Sequence, residues 1–393
     1  MTVLFISYWG INEGLTQATV LPNVKLLASF STIDKIILCT IERGTFKQMS
    51  AVDKIVHIPL RSKNYKNVLL NKLNDFLFFP RRIISIVNQH KIKMILCRSS
   101  LAGGIGYRVF KKTQIPYVVE SFEPHAAYMI ESGVWKKYDP RYWIEIFFHK
   151  VICNSAQYLL PVAVSYAEHL KGQAVNKEKI MVVPCVVDLQ KFFRKNSINQ
   201  RLKLGIADHQ KVGIYVGKFG GLYYDDEAFL VFAMAKKVFD QFCLIILTPD
   251  DPTEIEMKLA KAGFSVKEYR LMKVDYNDVP DYLSIADFAF AMYKHSFSKK
   301  YLSPIKVGEY WACGLPVLLT EGVGDDAAII ENSQCGATFS LDKENTIQAL
   351  KNIQNQLHDE DVRVKNVGLA AKYRNPEILR NAYMRIIQSV QAI

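Results

Sequence analysis

SPIKVGEYWACGLPVLLT, residues 303–320, decides how the rest of the chain is read. Ser303 is a good N-cap, because its hydroxyl can accept from the free N–H groups of a first helical turn. Pro304 then takes the first helical position, where a missing N–H costs nothing. Gly314 supplies a left-handed residue just past the helix end, and Pro316 prevents continuation. Pro316–Thr320 is a short apolar strand. Two residues of the predicted helix do not serve this junction. Lys306 falls in the first turn, where the helix dipole disfavours a cation. A helix N-terminus with a lysine is an anion site suited to a phosphate. Glu309 lies one turn further along the same face. Its carboxylate can accept two hydroxyl hydrogens, as from the cis-diol of a ribose. Gly308 carries no side chain and permits a ligand to approach. The alternative is that any helix-to-strand junction needs a cap, a Gly and a Pro, with Lys306 and Glu309 merely solvated.

The stretch closely resembles the nucleotide-binding motif of retaining glycosyltransferases with two Rossmann-like domains (GT-B fold, family 4). That pattern runs S-P-x-K-x-x-E-[YF]-[MW]-A-[CS]-G-x-P-V, and nearly every position is met. Two further segments agree. Met181–Asp188 followed by Phe192 resembles the family's interdomain linker, V-I-P-N-G-V-D-x-x-x-F, with Cys185-Val186 where Asn-Gly is usual. Val279–Leu283 with Ala286-Asp287 resembles its V-P-x-Y-L-x-x-A-D helix. The fold implied is α/β, with two Rossmann-like doubly wound parallel-sheet domains facing across a cleft. An acceptor-side domain would span 1–195, with a C-terminal helix at 375–393 crossing back to it. A nucleotide-sugar-binding domain would span 196–374.

The pattern of apolar runs agrees with that class. Thr2–Ser7, Lys35–Thr40, Ile92–Cys97, Pro116–Glu120 and Tyr158–Val162 read as strands with helical material between them. Val212–Gly217 restarts the pattern, followed by Leu244–Thr248 and Phe288–Met292. Alternating strand and helix means parallel, doubly wound sheets. Loops after the carboxyl ends of such strands bind ligands, which makes Glu123 and His125, just past Pro116–Glu120, candidates for catalysis; a capping or core histidine is the alternative for His125. The resemblance implies that a histidine in about this place contacts the donor sugar near the reaction centre. It also implies diphosphate contacts from Lys218, which follows Gly217, and from the first loop, where Gly14 stands at the helix entry. An ordinary strand-to-helix turn explains Gly14 equally well. Gly322 and Gly324 form a loop suited to close approach of phosphate or sugar. Ser303 and Pro304 complete the donor set. The sequence departs from the family in two places. Tyr301 stands where most members have a second glutamate that contacts the donor sugar. A second basic residue has no counterpart in Gly220–Tyr224.

At 393 residues the chain is long enough for two domains, and with half its residues hydrophobic it is globular. The N-terminus MTVLFISYWG has no basic region or cleavage site of a signal peptide, and no apolar run approaches the ~18 residues of a membrane span. Seven scattered cysteines with no C-x-x-C pair suggest a reducing compartment and no zinc site. The cytoplasm, at the inner face of the membrane, is the expected location. Residues 1–195 hold 27 Lys and Arg against 13 Asp and Glu, leaving 23 against 25 in the remainder. All the positive excess therefore lies in the first half, which points to an anionic partner. Nucleic acid is set aside because no DNA or RNA motif is present. Within 61–93, Lys63, Lys66, Lys72, Arg81 and Arg82 flank Leu77, Phe78 and Phe79, without steady helical spacing. Cations around exposed aromatics suit contact with anionic lipid; the alternative is that Phe78 and Phe79 are core and the cations solvated.

The sequence has no Gly-x-Ser-x-Gly, His-Glu-x-x-His or Walker loop. Its one D-x-D, Asp359-Glu360-Asp361, lies in a charged segment and reads as solvated surface. The expected activity is transfer, with retention, of a hexose-type sugar from a nucleotide sugar to a glycan or lipid-linked acceptor, without metal or other cofactor. Bacterial cell-surface polysaccharide synthesis is the expected setting. The alternatives are a nucleotide-sugar epimerase or hydrolase on the same fold, or a non-catalytic sugar-nucleotide-binding subunit.

Overall fold

A computed structural model describes residues 1–46, 48–50, 52–63, 68–195 and 198–392; at 68, 69, 72, 73, 198 and 199 only the backbone is described. Lys66 lies outside the described residues, as does the side chain of Lys72. The chain divides into two compact units. The first comprises Met1–Ile130, Trp135–Cys185 and Glu377–Ile393; the second comprises Glu131–Val134 and Val186–Pro376.

Each unit is built on a six-stranded parallel sheet. In the first, β1 (Thr2–Ser7), β2 (Lys35–Glu42), β3 (Ile55–Arg61), β4 (Met94–Arg98), β5 (Tyr117–Phe122) and β6 (Tyr158–Pro161) lie in the order β3-β2-β1-β4-β5-β6. In the second, β7 (Lys211–Val216), β8 (Phe242–Leu247), β9 (Tyr269–Met272), β10 (Phe288–Ala291), β11 (Val317–Thr320) and β12 (Gly336–Phe339) lie in the order β12-β11-β10-β7-β8-β9. Both are doubly wound. The strand order reverses between β1 and β4 in one unit and between β7 and β10 in the other, the points where such sheets bind ligands. The central strands are buried along almost their whole length, as near-continuous apolar runs require.

Several of the structure's elements differ from the sequence expectation. The edge strands β3, β9 and β12 were not expected. IVHIPLR and YRLM are only partly buried, and their polar residues break the apolar run. The basic segment forms one continuous helix, Val68–His90, through Pro80. Its inward stripe of Phe76, Phe79, Ile83 and Val87 is buried at three-to-four spacing, but Leu77 and Phe78 face solvent and obscure that period. A helix that no quoted motif marks runs Pro140–Ser155, with Asp139 accepting from the Arg141 N–H as its cap. The terminal helix, Pro376–Gln391, belongs to the first unit. There Tyr383 donates to Glu120, which also accepts from Asn23 at 3.0 Å and from Arg98 at 3.2 Å.

The helix Ser99–Thr113 packs unusually close to its neighbours. A Cβ on Gly104 would meet the Phe76 and Phe148 rings at 2.9 Å, and one on Gly106 would meet Cys97 Sγ at 2.4 Å. Cys97 is fully buried on β4. We therefore expect Gly106→Ala to lower stability by about 1–3 kcal/mol, despite the ~1 kcal/mol gain in helix propensity. Chemical denaturation checks this; a variant as stable as the parent would show that the sulfur relaxes freely.

Candidate functional site

The helix of the quoted stretch runs Ile305–Ala312, one residue later than expected. Pro304, with ψ 117°, occupies the cap position and has no side chain to cap the helix. Ser303 lies one residue before that position, and its Oγ accepts from the buried guanidinium of Arg374. Arg374 also pairs with Asp326, and its backbone carbonyl accepts from the Val187 N–H at 2.9 Å. Gly314 has φ 76° and ends the helix as expected. Gly308 is not an opening for a ligand. A Cβ there would meet Val187 at 2.8 Å and Arg374 at 2.9 Å, so its bareness serves packing.

Lys306 and Glu309 are both buried, at 7% and 4% exposure, and are not solvated surface. The Lys306 amino group has no hydrogen-bond acceptor. It lies among the rings of Tyr223, Tyr215 and Tyr293, at 4.1, 5.0 and 5.8 Å from their centroids. Those π faces offset part of the desolvation of a cation but accept no hydrogen bond. The nitrogen also stands 2.8 Å from where a Cβ on Gly217 would be; Gly217 has φ 134°. Because Gly217 follows β7 and Tyr293 follows β10, the amino group sits at the point where the sheet order reverses. Burial lowers the Lys306 pKa to about 7, against the attraction of Glu309. Burial likewise raises Glu309 to about 7, opposed by the Tyr276 hydrogen bond, Lys191 and Lys306. Tyr276 Oη donates to Glu309 Oε1 at 2.7 Å, and Lys191 Nζ stands 3.6 Å over the Tyr276 ring. The carboxylate is thereby oriented, with acceptor capacity left for a ligand hydroxyl.

The remaining second-unit residues are less uniform. Lys218 is exposed, and its carbonyl accepts from Tyr215 Oη at 2.5 Å. The neighbouring Phe219 N–H is taken by Asp250 at 2.7 Å, so that loop amide is not free for a phosphate. Gly322 (φ 64°) lies against the Lys299 side chain, and Gly324 (φ 56°) donates to the Lys299 carbonyl at 2.9 Å. A Cβ on Gly324 would fall 2.1 Å from the Leu302 carbonyl oxygen, so this glycine serves close backbone packing. Tyr301 is buried at the end of the turn Phe297–Tyr301. Asp359 and Asp361 are exposed, and Asp359 pairs with Lys365 at 2.6 Å.

In the first unit, Glu123 and His125 line a cavity of about 510 Å3 with Glu145, His149 and Tyr166. Burial raises the Glu123 carboxyl, against His125 and Arg98. His125 opens the short helix His125–Glu131, and its Nδ1 lies 2.7 Å from Glu145 Oε2. An ionised carboxylate only accepts, so beside it that nitrogen carries a proton. Gly14 starts the first helix with open space around it; Gly10 is the tight residue of that loop, where a Cβ would lie 2.6 Å from Glu42. Sequence reasoning missed the tyrosines around Lys306, Tyr276 and Lys191 at Glu309, and Glu145 at His125. None follows a motif, and all arrive from other elements.

No protein-family model matches the sequence, and no curated protein matches it. Solved structures do resemble it. Sucrose-phosphate synthase from Thermosynechococcus elongatus superposes with a TM-score of 0.80 at 14% identity, covering 100% of this chain and 99% of that one. HepE of Anabaena, solved in complex with UDP-glucose, gives 0.71 at 12% identity, covering 99% and 100%. A UDP-N-acetylglucosamine 2-epimerase gives 0.64 at 14% identity, covering 100% and 97%. The chain has the GT-B fold that these proteins share.

The opposed shifts of Lys306 and Glu309 predict an unusual pH profile. Glu309 binds its proton more tightly in the folded chain, so its contribution is present below pH 4.5 and is lost as pH rises through about 7. Lys306 holds its proton less tightly when folded, so its contribution is present above pH 10.5 and is lost as pH falls through about 7. Together they give a dip in stability near neutral pH. In melting curves taken from pH 5 to 10, Glu309→Gln should flatten the acid side of the dip and Lys306→Met the alkaline side. Unchanged profiles in both variants would contradict the burial of these charges.

Proposed function

We propose that the protein is a glycosyltransferase that takes a sugar from a nucleotide-sugar donor with retention of configuration. The reading rests chiefly on one observation, the buried amino group of Lys306 with no acceptor, beside a buried carboxylate one turn away. An anion is what that amino group lacks, and a donor diphosphate meets the need. Glu309 takes a ribose hydroxyl, with Tyr276 fixing its orientation. The first turn of the Ile305–Ala312 helix adds its dipole. As the sugar–phosphate bond breaks, negative charge grows on the diphosphate, and Lys306 stabilises it where burial makes the interaction strong. No metal is invoked. His125, its imidazole held by Glu145, serves the donor sugar, and Glu123 is the neighbouring acid. The acceptor is a glycan or a lipid-linked sugar.

The UDP complex of HepE supports a uridine donor as the first to test. The epimerase neighbour favours a second reading, a sugar-nucleotide epimerase, whose acid–base chemistry would fall to Glu123 and His125. Labelled donor incubated with and without acceptor separates the two, since epimerisation needs no acceptor.

Calorimetry against UDP-, GDP- and ADP-sugars tests the donor site. Removing a charge-assisted contact to phosphate costs about 1.5–3 kcal/mol, so Lys306→Met should weaken binding by roughly 10- to 100-fold. The same substitution removes an unpaired buried charge, so the ligand-free variant should melt higher than the parent. A variant that melts higher but binds donor equally well would overturn the diphosphate role. Glu309→Ala should abolish measurable donor binding; retained turnover would reject its ribose role.

A further inference from the structure

The helices Val68–His90, Ser99–Thr113 and Pro140–Ser155 pack side by side on one face of the first sheet. Together they contain two carboxylates, Asp75 and Glu145, and both are buried. Asp75 accepts from Arg43 at 2.8 Å and from Ser62 at 2.6 Å, while Glu145 holds His125. The cations behave in the opposite way. Arg81, Arg82, Arg108, Lys111, Lys112 and Lys150 are all exposed. Among the described residues, every exposed formal charge on these helices is therefore positive.

Large apolar side chains are exposed among these cations. Leu77 and Phe78 stand on one helix, and Trp143, Ile146 and Phe147 on another, at 40–62% exposure. On the latter helix Trp143, Ile146, Phe147 and Lys150 form one stripe by their spacing. Phe78 and Phe147 line a groove of about 550 Å3 with Arg81, Arg108, Lys111 and Lys112, and its lining includes no acid. Among the described residues no helix is long and apolar enough to cross a membrane.

We infer that this three-helix face docks onto an anionic lipid bilayer, its aromatic side chains entering the interface and its cations meeting lipid phosphates. Charge complementarity selects this occupant. A protein partner would need a surface almost wholly acidic at its rim, whereas a bilayer supplies negative charge and an apolar layer together. The inference goes beyond the donor reading and does not depend on it.

Trp143 provides the test, because Trp135 and Trp311 are buried and Trp9 is half-buried. The full chain is mixed with phosphatidylcholine vesicles, with or without phosphatidylglycerol, and with brominated acyl chains. Sedimentation with the anionic vesicles only, with quenched tryptophan emission, is expected. Trp143→Phe should still sediment but lose most of the quenching. Arg108→Glu/Lys111→Glu/Lys112→Glu should bind at least tenfold more weakly, since each cation near such a surface is worth about fivefold. Phe78→Ser/Phe147→Ser should also release the protein, and all these positions are exposed, so the variants should fold. Equal binding to neutral vesicles, binding unaffected by the charge reversal, or a wild-type dimer that the aromatic variants dissociate without any vesicle binding would overturn the inference. UDP calorimetry on the same variants should be unchanged, which separates this failure from failure of the donor site.

Discussion

A lysine amino group placed in the interior without an acceptor carries a large desolvation cost, and the surrounding side chains are arranged about it. Burial alone penalises the charge, and the first turn of a helix adds a positive potential of its own. Three tyrosine faces return part of that cost. Glu309 returns a further part, but its own carboxyl is raised by the same burial. The two groups are thus held close to neutrality when the site is empty. An incoming anion shifts the balance, because it supplies the charge-assisted hydrogen bonds that Lys306 lacks. Charge on the lysine and occupancy of the site are then linked, which is the behaviour of a binding residue more than of a core residue.

The fold explains how the amino group reaches this place. In a sheet ordered β12-β11-β10-β7-β8-β9, the chain leaves β7 and β10 in different directions, and their carboxyl ends flank the crevice in which such sheets bind ligands. Gly217 leaves β7 with a backbone conformation closed to ordinary side chains and keeps the space at the nitrogen clear. Tyr223 and Tyr293, from the loops after β7 and β10, form a bridge pair, and both rings turn to the nitrogen. The stretch 303–320 provides the helix on one side of that crevice, and its strand, β11, is paired to β10. Motif and fold are therefore one arrangement. The helix start carries Lys306 to the proposed anion site, and the glycine that ends the helix returns the chain to the sheet.

What the sequence made legible follows from burial. Strands covered on both faces, such as Thr2–Ser7 and Phe242–Leu247, are continuous apolar runs, the first readable with its bounds and the second as Leu244–Thr248. Edge strands such as Ile55–Arg61 tolerate His57 and Arg61, and their identity comes from pairing with a neighbour. The long helix around Pro80 was hidden for the opposite reason, since it exposes apolar side chains as well as burying them. At the site, Lys306 and Glu309 were legible because they share one helix at a fixed spacing. Their partners were not. Tyr276 is 33 residues from Glu309 in sequence, and Glu145 is 20 residues from His125. Ser303 looked like a cap because serine before a helix usually is one, yet a buried arginine 71 residues away takes its hydroxyl.

The two departures from the family pattern acquire a common physical sense. Where a second basic residue was expected, in Gly220–Tyr224, the chain places Tyr223, whose ring is the one nearest the Lys306 nitrogen. Where a second glutamate was expected, it places Tyr301. In both positions a charge is replaced by an aromatic side chain. A second cation close to Lys306 would drive its pKa lower still, whereas a π face favours the charged form. The Lys306 nitrogen is therefore a buried, poorly solvated positive charge. In the proposed reaction it faces the charge gathering on the departing diphosphate, and its burial makes the interaction strong.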